Sequence, residues 1–125
     1  MPKILLVDDQ EELRLLLQAT LEDADYEILE AQSGSEALSI ARAELPSLVV
    51  MDWMMPGMSG VDVVRALKAD PATRAIPVIL LTARSQAEDR QAGISAGASA
   101  FLSKPFSPLE LVRQVESLLA SSQIE

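Results

Sequence analysis

Short apolar runs rich in Val, Ile and Leu recur at residues 4–7, 48–51 and 78–81, each bounded by Asp, Pro or Thr. Continuous runs of this length suit strands buried on both faces, as in a parallel sheet. Weaker runs at 26–30 and 100–103 occupy strand positions between segments of helical spacing. In the first such segment the stripe is Leu13, Leu16, Leu17 and Leu21; in the last it is Leu111, Val112, Val115, Leu118 and Leu119. Each stripe is expected to face a sheet. Helix starts are marked by Ser33-Gly34-Ser35-Glu36, Ser85-Gln86-Ala87-Glu88 and Ser107-Pro108-Leu109-Glu110, which match the capping box, the last with proline at the first helical position. A strand-helix unit repeated five times predicts an α/β fold, a five-stranded parallel sheet with helices on both faces and right-handed crossovers. With 125 residues there is room for one core, so residues 1–125 are read as one domain, with 120–125 as a frayed tail or the start of a linker.

The chain contains no cysteine and no histidine. Disulfides, thiolate metal sites and histidine proton relays are thereby excluded, and carboxylates, hydroxyls and lysines remain for chemistry. A formal net charge of −9 opposes direct binding to nucleic acid or an anionic membrane, both polyanions. No apolar run approaches membrane length, and Met1-Pro2-Lys3 followed so soon by acidic residues is a poor signal peptide. A cytoplasmic location is expected.

In a doubly wound sheet, ligands collect beyond the carboxyl ends of the strands. Those ends carry Asp8 and Asp9 after the first strand, Asp52 after the third, Thr82 after the fourth and Lys104 after the fifth. Three carboxylates on one rim repel one another unless a hard cation or Lys104 offsets them, and oxygen ligands suit Mg²⁺. Any one of these residues taken alone is more simply a helix cap or loop residue, with Asp9 a ready cap for the first helix. Their joint placement at four strand ends favours a functional cleft.

The motifs Ile4-Leu5-Leu6-Val7-Asp8-Asp9, Asp52-Trp53-Met54-Met55-Pro56-Gly57-Met58-Ser59-Gly60, Leu80-Leu81-Thr82-Ala83 and Lys104-Pro105-Phe106 together resemble the receiver domains of bacterial two-component response regulators, over the whole length. The resemblance implies strand order 2-1-3-4-5, flavodoxin-like and doubly wound. It implies Asp52 as phosphoacceptor, and Mg²⁺ held by Asp9, Asp52 and the backbone carbonyl of Met54, with Asp8 acting largely through water. Thr82 and Lys104 would contact the phosphoryl oxygens, with a cis peptide between Lys104 and Pro105 aiming the lysine inward. Thr82 and Phe101 would form the switch, while Met54 and Arg84 would tune phosphoryl lifetime. Gly57 and Gly60 would loosen the loop beside Asp52, Gly60 letting the chain turn into the third helix.

Such a protein is a signalling switch and not a turnover enzyme on an external substrate. Its expected partners are a sensor histidine kinase or phosphotransfer protein and an output protein or domain, reached through the fourth helix, fifth strand and fifth helix. Regulators that dimerise there typically carry two acidic residues where this chain has Ser99-Ala100, although Glu88, Asp89 and Arg90 are present. A monomer is therefore expected before phosphorylation and at most a weak dimer after it. The nearest alternative is a non-phosphorylated pseudo-receiver acting as an interaction module. A flavin module would need a Ser/Thr/Gly loop where Asp8-Asp9-Gln10-Glu11-Glu12 stands. An Asp-nucleophile phosphatase would place its nucleophile and a second Asp close together after the first strand, whereas Asp8 and Asp9 are adjacent and Asp52 lies far along the chain.

Overall fold

The computed structural model describes residues 2–22, 25–82, 87–103 and 107–123, the side chains of 87–90, 92 and 121–123 excepted. Strands and helices alternate as β1 (Lys3–Val7), α1 (Glu11–Leu21), β2 (Glu27–Ala31), α2 (Gly34–Glu44), β3 (Leu48–Asp52), α3 (Gly60–Ala69), β4 (Val78–Thr82), α4 (Ala87–Ala96), β5 (Ala100–Ser103) and α5 (Pro108–Gln123). The strands form one five-stranded sheet in the order β2-β1-β3-β4-β5, with every pairing parallel. The strands run close to their expected bounds, β2 shifted by one residue so that Tyr26 precedes it.

Burial explains the apolar runs. β3 and β4 are buried at every position, because each has a neighbour on both edges and helices on both faces. The sheet separates two apolar clusters. One gathers Leu5, Val7, Val49, Met51, Trp53 and Leu80 with α2, α3 and α4 residues such as Leu38, Val64 and Ala96. The other joins Ile4, Leu6, Val50, Ile79 and Leu81 to Leu17 and Leu21 of α1 and Leu111, Val115 and Leu119 of α5. Alternate side chains of a strand point to opposite faces, so one run of sequence feeds both clusters.

Two helix readings need correction. In α1 the inward positions are Arg14, Leu17 and Leu21, while Leu16 is 51% exposed. Leu16 lies about 100° around the helix from Leu17, and the sheet takes Arg14 in its place. The Ser33 side chain accepts the Glu36 amide at 3.2 Å and Ser107 accepts that of Glu110 at 3.4 Å, each as a cap. The reciprocal box is at Ser59 and Asp62, with both bonds at 3.2 Å, a motif the sequence reading missed because Asp stands where Glu or Gln is usual. The proposed box at Ser85 lies outside the described residues. Lys68, on α3, donates to Arg74 O at 3.0 Å and Ile76 O at 2.8 Å, which ties down the segment leading into β4. Burial pushes its ammonium below its ordinary value.

Candidate functional site

Parallel pairing sets the site. Val7 pairs with Met51, so one residue further along Asp8 stands beside Asp52, and Asp52 itself pairs with Leu81 at the end of β4. Asp8, Asp9 and Asp52 each offer a carboxylate oxygen, and these oxygens lie within 4.8 Å of one another. Asp8 and Asp52 are buried and Asp9 is exposed, so the cluster opens to solvent on the Asp9 side. Thr82, the last residue of β4, is 2% exposed. Lys104, Pro105 and Arg84, with the roles expected of them, lie outside the described residues.

The loop from β1 to α1 is held by Asp8 itself, whose Oδ1 accepts the Gln10 amide at 2.8 Å. Gln10 occupies the N-cap position of α1 without a side-chain cap, so Asp9 is not the cap that its position in the sequence would allow. Its carboxylate stays with the cluster. After Asp52 the chain continues the ladder for one more bond, Trp53 N to Leu81 O at 2.9 Å. Met54 is then 55% exposed and Met55 is buried.

The two glycines of this loop have different roles. Gly57 sits at φ +81 in open space, the left-handed turn that glycine adopts without strain. Gly60 supplies close approach and not looseness. A Cβ there would stand 2.7 Å from Asp52 O, 2.9 Å from Leu80 Cδ2 and 3.0 Å from Trp53 Cα. Its amide donates to Trp53 O at 2.8 Å, clamping α3 against the end of β3.

Phe101 is half-buried on β5, opposite Leu80, and its ring centroid lies 6.4 Å from that of Trp53 at an interplanar angle of 38°. The Phe101 ring lies against the bare backbone of Gly93 on α4, where an added Cβ would strike Phe101 Cε1 and Cζ. Trp53 and Gly93 were not singled out from sequence. The Asp52-Trp53 adjacency was the available signal, since the residue after a strand-end acid must lie near the site.

Charge was also missed at Arg14, which the sequence presents as one polar residue inside a leucine-rich helix. It is buried, and its guanidinium donates to Asp8 O at 2.7 Å and to Glu30 Oε1 at 3.2 Å. At the other end of the helix, α1 and β2 border an open groove of about 570 Å³ lined by residues including Leu15, Gln18 and Tyr26. Among the described residues no helix is long and apolar enough to cross a membrane.

Comparison with known proteins agrees with this arrangement. The family described as the response regulator receiver domain matches residues 4–116. The phosphate regulon transcriptional regulatory protein PhoB of Pseudomonas aeruginosa is 40% identical over 116 residues, which are 93% of this chain and 51% of that protein. The response regulator PleD of Caulobacter vibrioides is 47% identical over 116 residues, 93% of this chain and 26% of its own length. The chain thus spans about half the length of the one and a quarter of the other. Among solved structures, the chemotaxis response regulator CheY4 of Vibrio cholerae superposes with a TM-score of 0.88 at 34% identity, covering 94% of this chain and 98% of that one. The receiver domain of Francisella response regulator 1452 gives 0.90 at 30% identity, covering 98% and 99%. With the acids gathered at the carboxyl edge of a 2-1-3-4-5 sheet and the family match extending over nearly all of its length, the chain belongs to the bacterial response regulator receiver domains.

Proposed function

We propose that Asp52 accepts a phosphoryl group from a histidine kinase or phosphotransfer protein, with a resident Mg²⁺ beside it. The observation that carries the reading is the convergence of three carboxylates within 4.8 Å at the ends of β1 and β3. Their hard oxygen donors fit Mg²⁺, with Asp9, Asp52 and the Met54 carbonyl as ligands and Asp8 acting largely through water. When bound, Mg²⁺ offsets negative charge on the carboxylates and on the incoming phosphoryl oxygens. The chain supplies the rest. An Asp52 oxygen attacks phosphorus as the bond to the donor breaks, giving an acyl phosphate on the side chain. Thr82 offers its hydroxyl and Lys104 its ammonium to the phosphoryl oxygens, and Met54 and Arg84 govern how water reaches the product.

As Thr82 moves toward the phosphoryl group, Phe101 follows it inward and the α4-β5-α5 face changes shape for an output protein or domain. Phe101 needs only volume for this, having no hydroxyl to bond. With Ser99-Ala100 in place of two acids, this face favours a different protein over a twin, so phosphorylation yields at most a weak dimer. Sedimentation velocity with an acyl-phosphate mimic checks this, and a tight dimer at low micromolar protein contradicts it.

Intact-mass measurement after incubation with a small phosphodonor tests the central reading. One added phosphoryl group should appear in the presence of Mg²⁺, fail to appear with chelator, and be absent in Asp52→Asn. Equal labelling of Asp52→Asn would refute the assignment, and no labelling of the wild type would make the chain a pseudo-receiver acting through binding alone.

A further inference from the structure

The Asp8-Asp9 peptide is held by bonds that the phosphorylation chemistry does not itself require. Asp8 N donates to Ala31 O at 3.2 Å, which extends the pairing of β1 with β2 by one residue. Its Oδ1 accepts the Gln10 amide at 2.8 Å. Its carbonyl, past the end of β1, accepts Arg14 Nη1 at 2.7 Å in a buried charge-assisted bond. Arg14 is 8% exposed and is itself steadied by Glu30 of β2 through Nε at 3.2 Å. A peptide unit is planar, so fixing the Asp8 carbonyl also fixes the Asp9 nitrogen. The directions in which both carboxylates leave the backbone then depend on Arg14.

We propose that Arg14 is a positioning residue for the divalent cation, orienting Asp8 and Asp9 together through the peptide they share and braced from β2 by Glu30. The proposal rests on the reading of the acidic cluster as a Mg²⁺ site. Charge alone makes the opposite forecast. A guanidinium beside the Asp8-Asp9 peptide repels a cation, so its removal should tighten Mg²⁺ binding if electrostatics were its whole effect. Orientation predicts that removal weakens binding, because supporting contacts around metal ligands commonly carry a large share of the affinity.

The test is a Mg²⁺ titration of the full chain, read by the fluorescence of Trp53, the sole tryptophan and the residue after Asp52, and independently by the thermal shift that Mg²⁺ produces. Arg14→Met should raise the Mg²⁺ Kd about tenfold or more. Arg14→Lys, which keeps the charge but loses the two-pronged guanidinium, should fall between it and wild type, and Glu30→Gln should weaken binding less. An Arg14→Met protein that binds Mg²⁺ as tightly as wild type, or more tightly, overturns the proposal. Should that variant fail to fold, unchanged Kd values in both Arg14→Lys and Glu30→Gln overturn it equally. A wild type with no Mg²⁺ response in either readout removes the metal site itself and this inference with it, whereas normal wild-type binding with unaffected variants removes this inference alone.

Discussion

Gly60 and Gly93 invite the same substitution with different expected costs. In Gly60→Ala the new methyl meets Asp52 O at 2.7 Å and Trp53 Cα at 3.0 Å, both parts of backbone fixed in the sheet or just beyond it, and Leu80 Cδ2 at 2.9 Å. Such atoms yield only if the end of β3 shifts. Because two of these walls are backbone, the overpacking cost lies in the upper part of its usual range, about 2–3 kcal/mol, and the gain in helix propensity returns at most about 1 kcal/mol, so the net loss is about 1–2 kcal/mol. For a chain of this size that lowers Tm by roughly 3–10 °C. In Gly93→Ala the main obstacle is the tip of the Phe101 ring, a side-chain end that can turn away, with Trp53 Cζ3 next at 3.3 Å. Giving up the contact with Trp53 costs about 0.5–1.5 kcal/mol against a similar helix gain, which leaves stability nearly unchanged. Urea denaturation followed by far-ultraviolet circular dichroism measures both variants, and Trp53 emission should change in Gly93→Ala as the ring leaves. A Gly60→Ala protein as stable as wild type, or a Gly93→Ala protein destabilised more than Gly60→Ala, would refute the distinction between rigid and movable walls.

Asp9→Ala should lose most of the Mg²⁺-induced rise in Tm, since it removes a carboxylate from the cluster; equal shifts in a thermal scan would show that Asp9 is no ligand. Thr82→Ala should still take up a phosphoryl group yet show much smaller amide shifts in β5 and α4 than wild type on phosphorylation, and shifts of full size would break the proposed link to Phe101. Burial, assisted by Glu116, raises the Tyr26 hydroxyl above its usual 10.0, so the native state keeps this proton while the unfolded chain releases it. Its contribution is complete below pH 10.0 and is lost as pH rises above that value through the native one. Tyr26→Phe should therefore lose less stability than wild type as pH rises above 10.0 in urea titrations, and identical alkaline slopes would count against a raised Tyr26 hydroxyl.

Much of the fold could be read in advance because parallel strands buried on both faces leave unmixed apolar runs, and β3 and β4 are such runs. The acids were legible for a related reason: a carboxylate at the end of such a run stands at the functional edge of the sheet. Helix faces were harder. Leu16 looked inward by residue type but points to solvent, while Arg14, which the apolar stripe passes over, is buried, because its partners are a carbonyl six residues back and a glutamate on β2. Tertiary pairing of that kind leaves no periodic trace. Gly60 was noticed as a turn residue, but what it admits is the backbone of Asp52, a contact between segments that spacing along the chain does not encode.

The sheet also acts as a partition between two kinds of variation. Trp53 and Phe101 both pack in the layer shared by α2, α3 and α4, whereas α1 and α5 close the opposite layer around Leu17, Leu111 and Val115. Repacking among α1 and α5 can raise or lower the stability of the whole domain while leaving the aromatic pair beside Asp52 in the same surroundings. The packing of α1 against α5 and the surroundings of Trp53 and Phe101 are thereby held in separate compartments of the core.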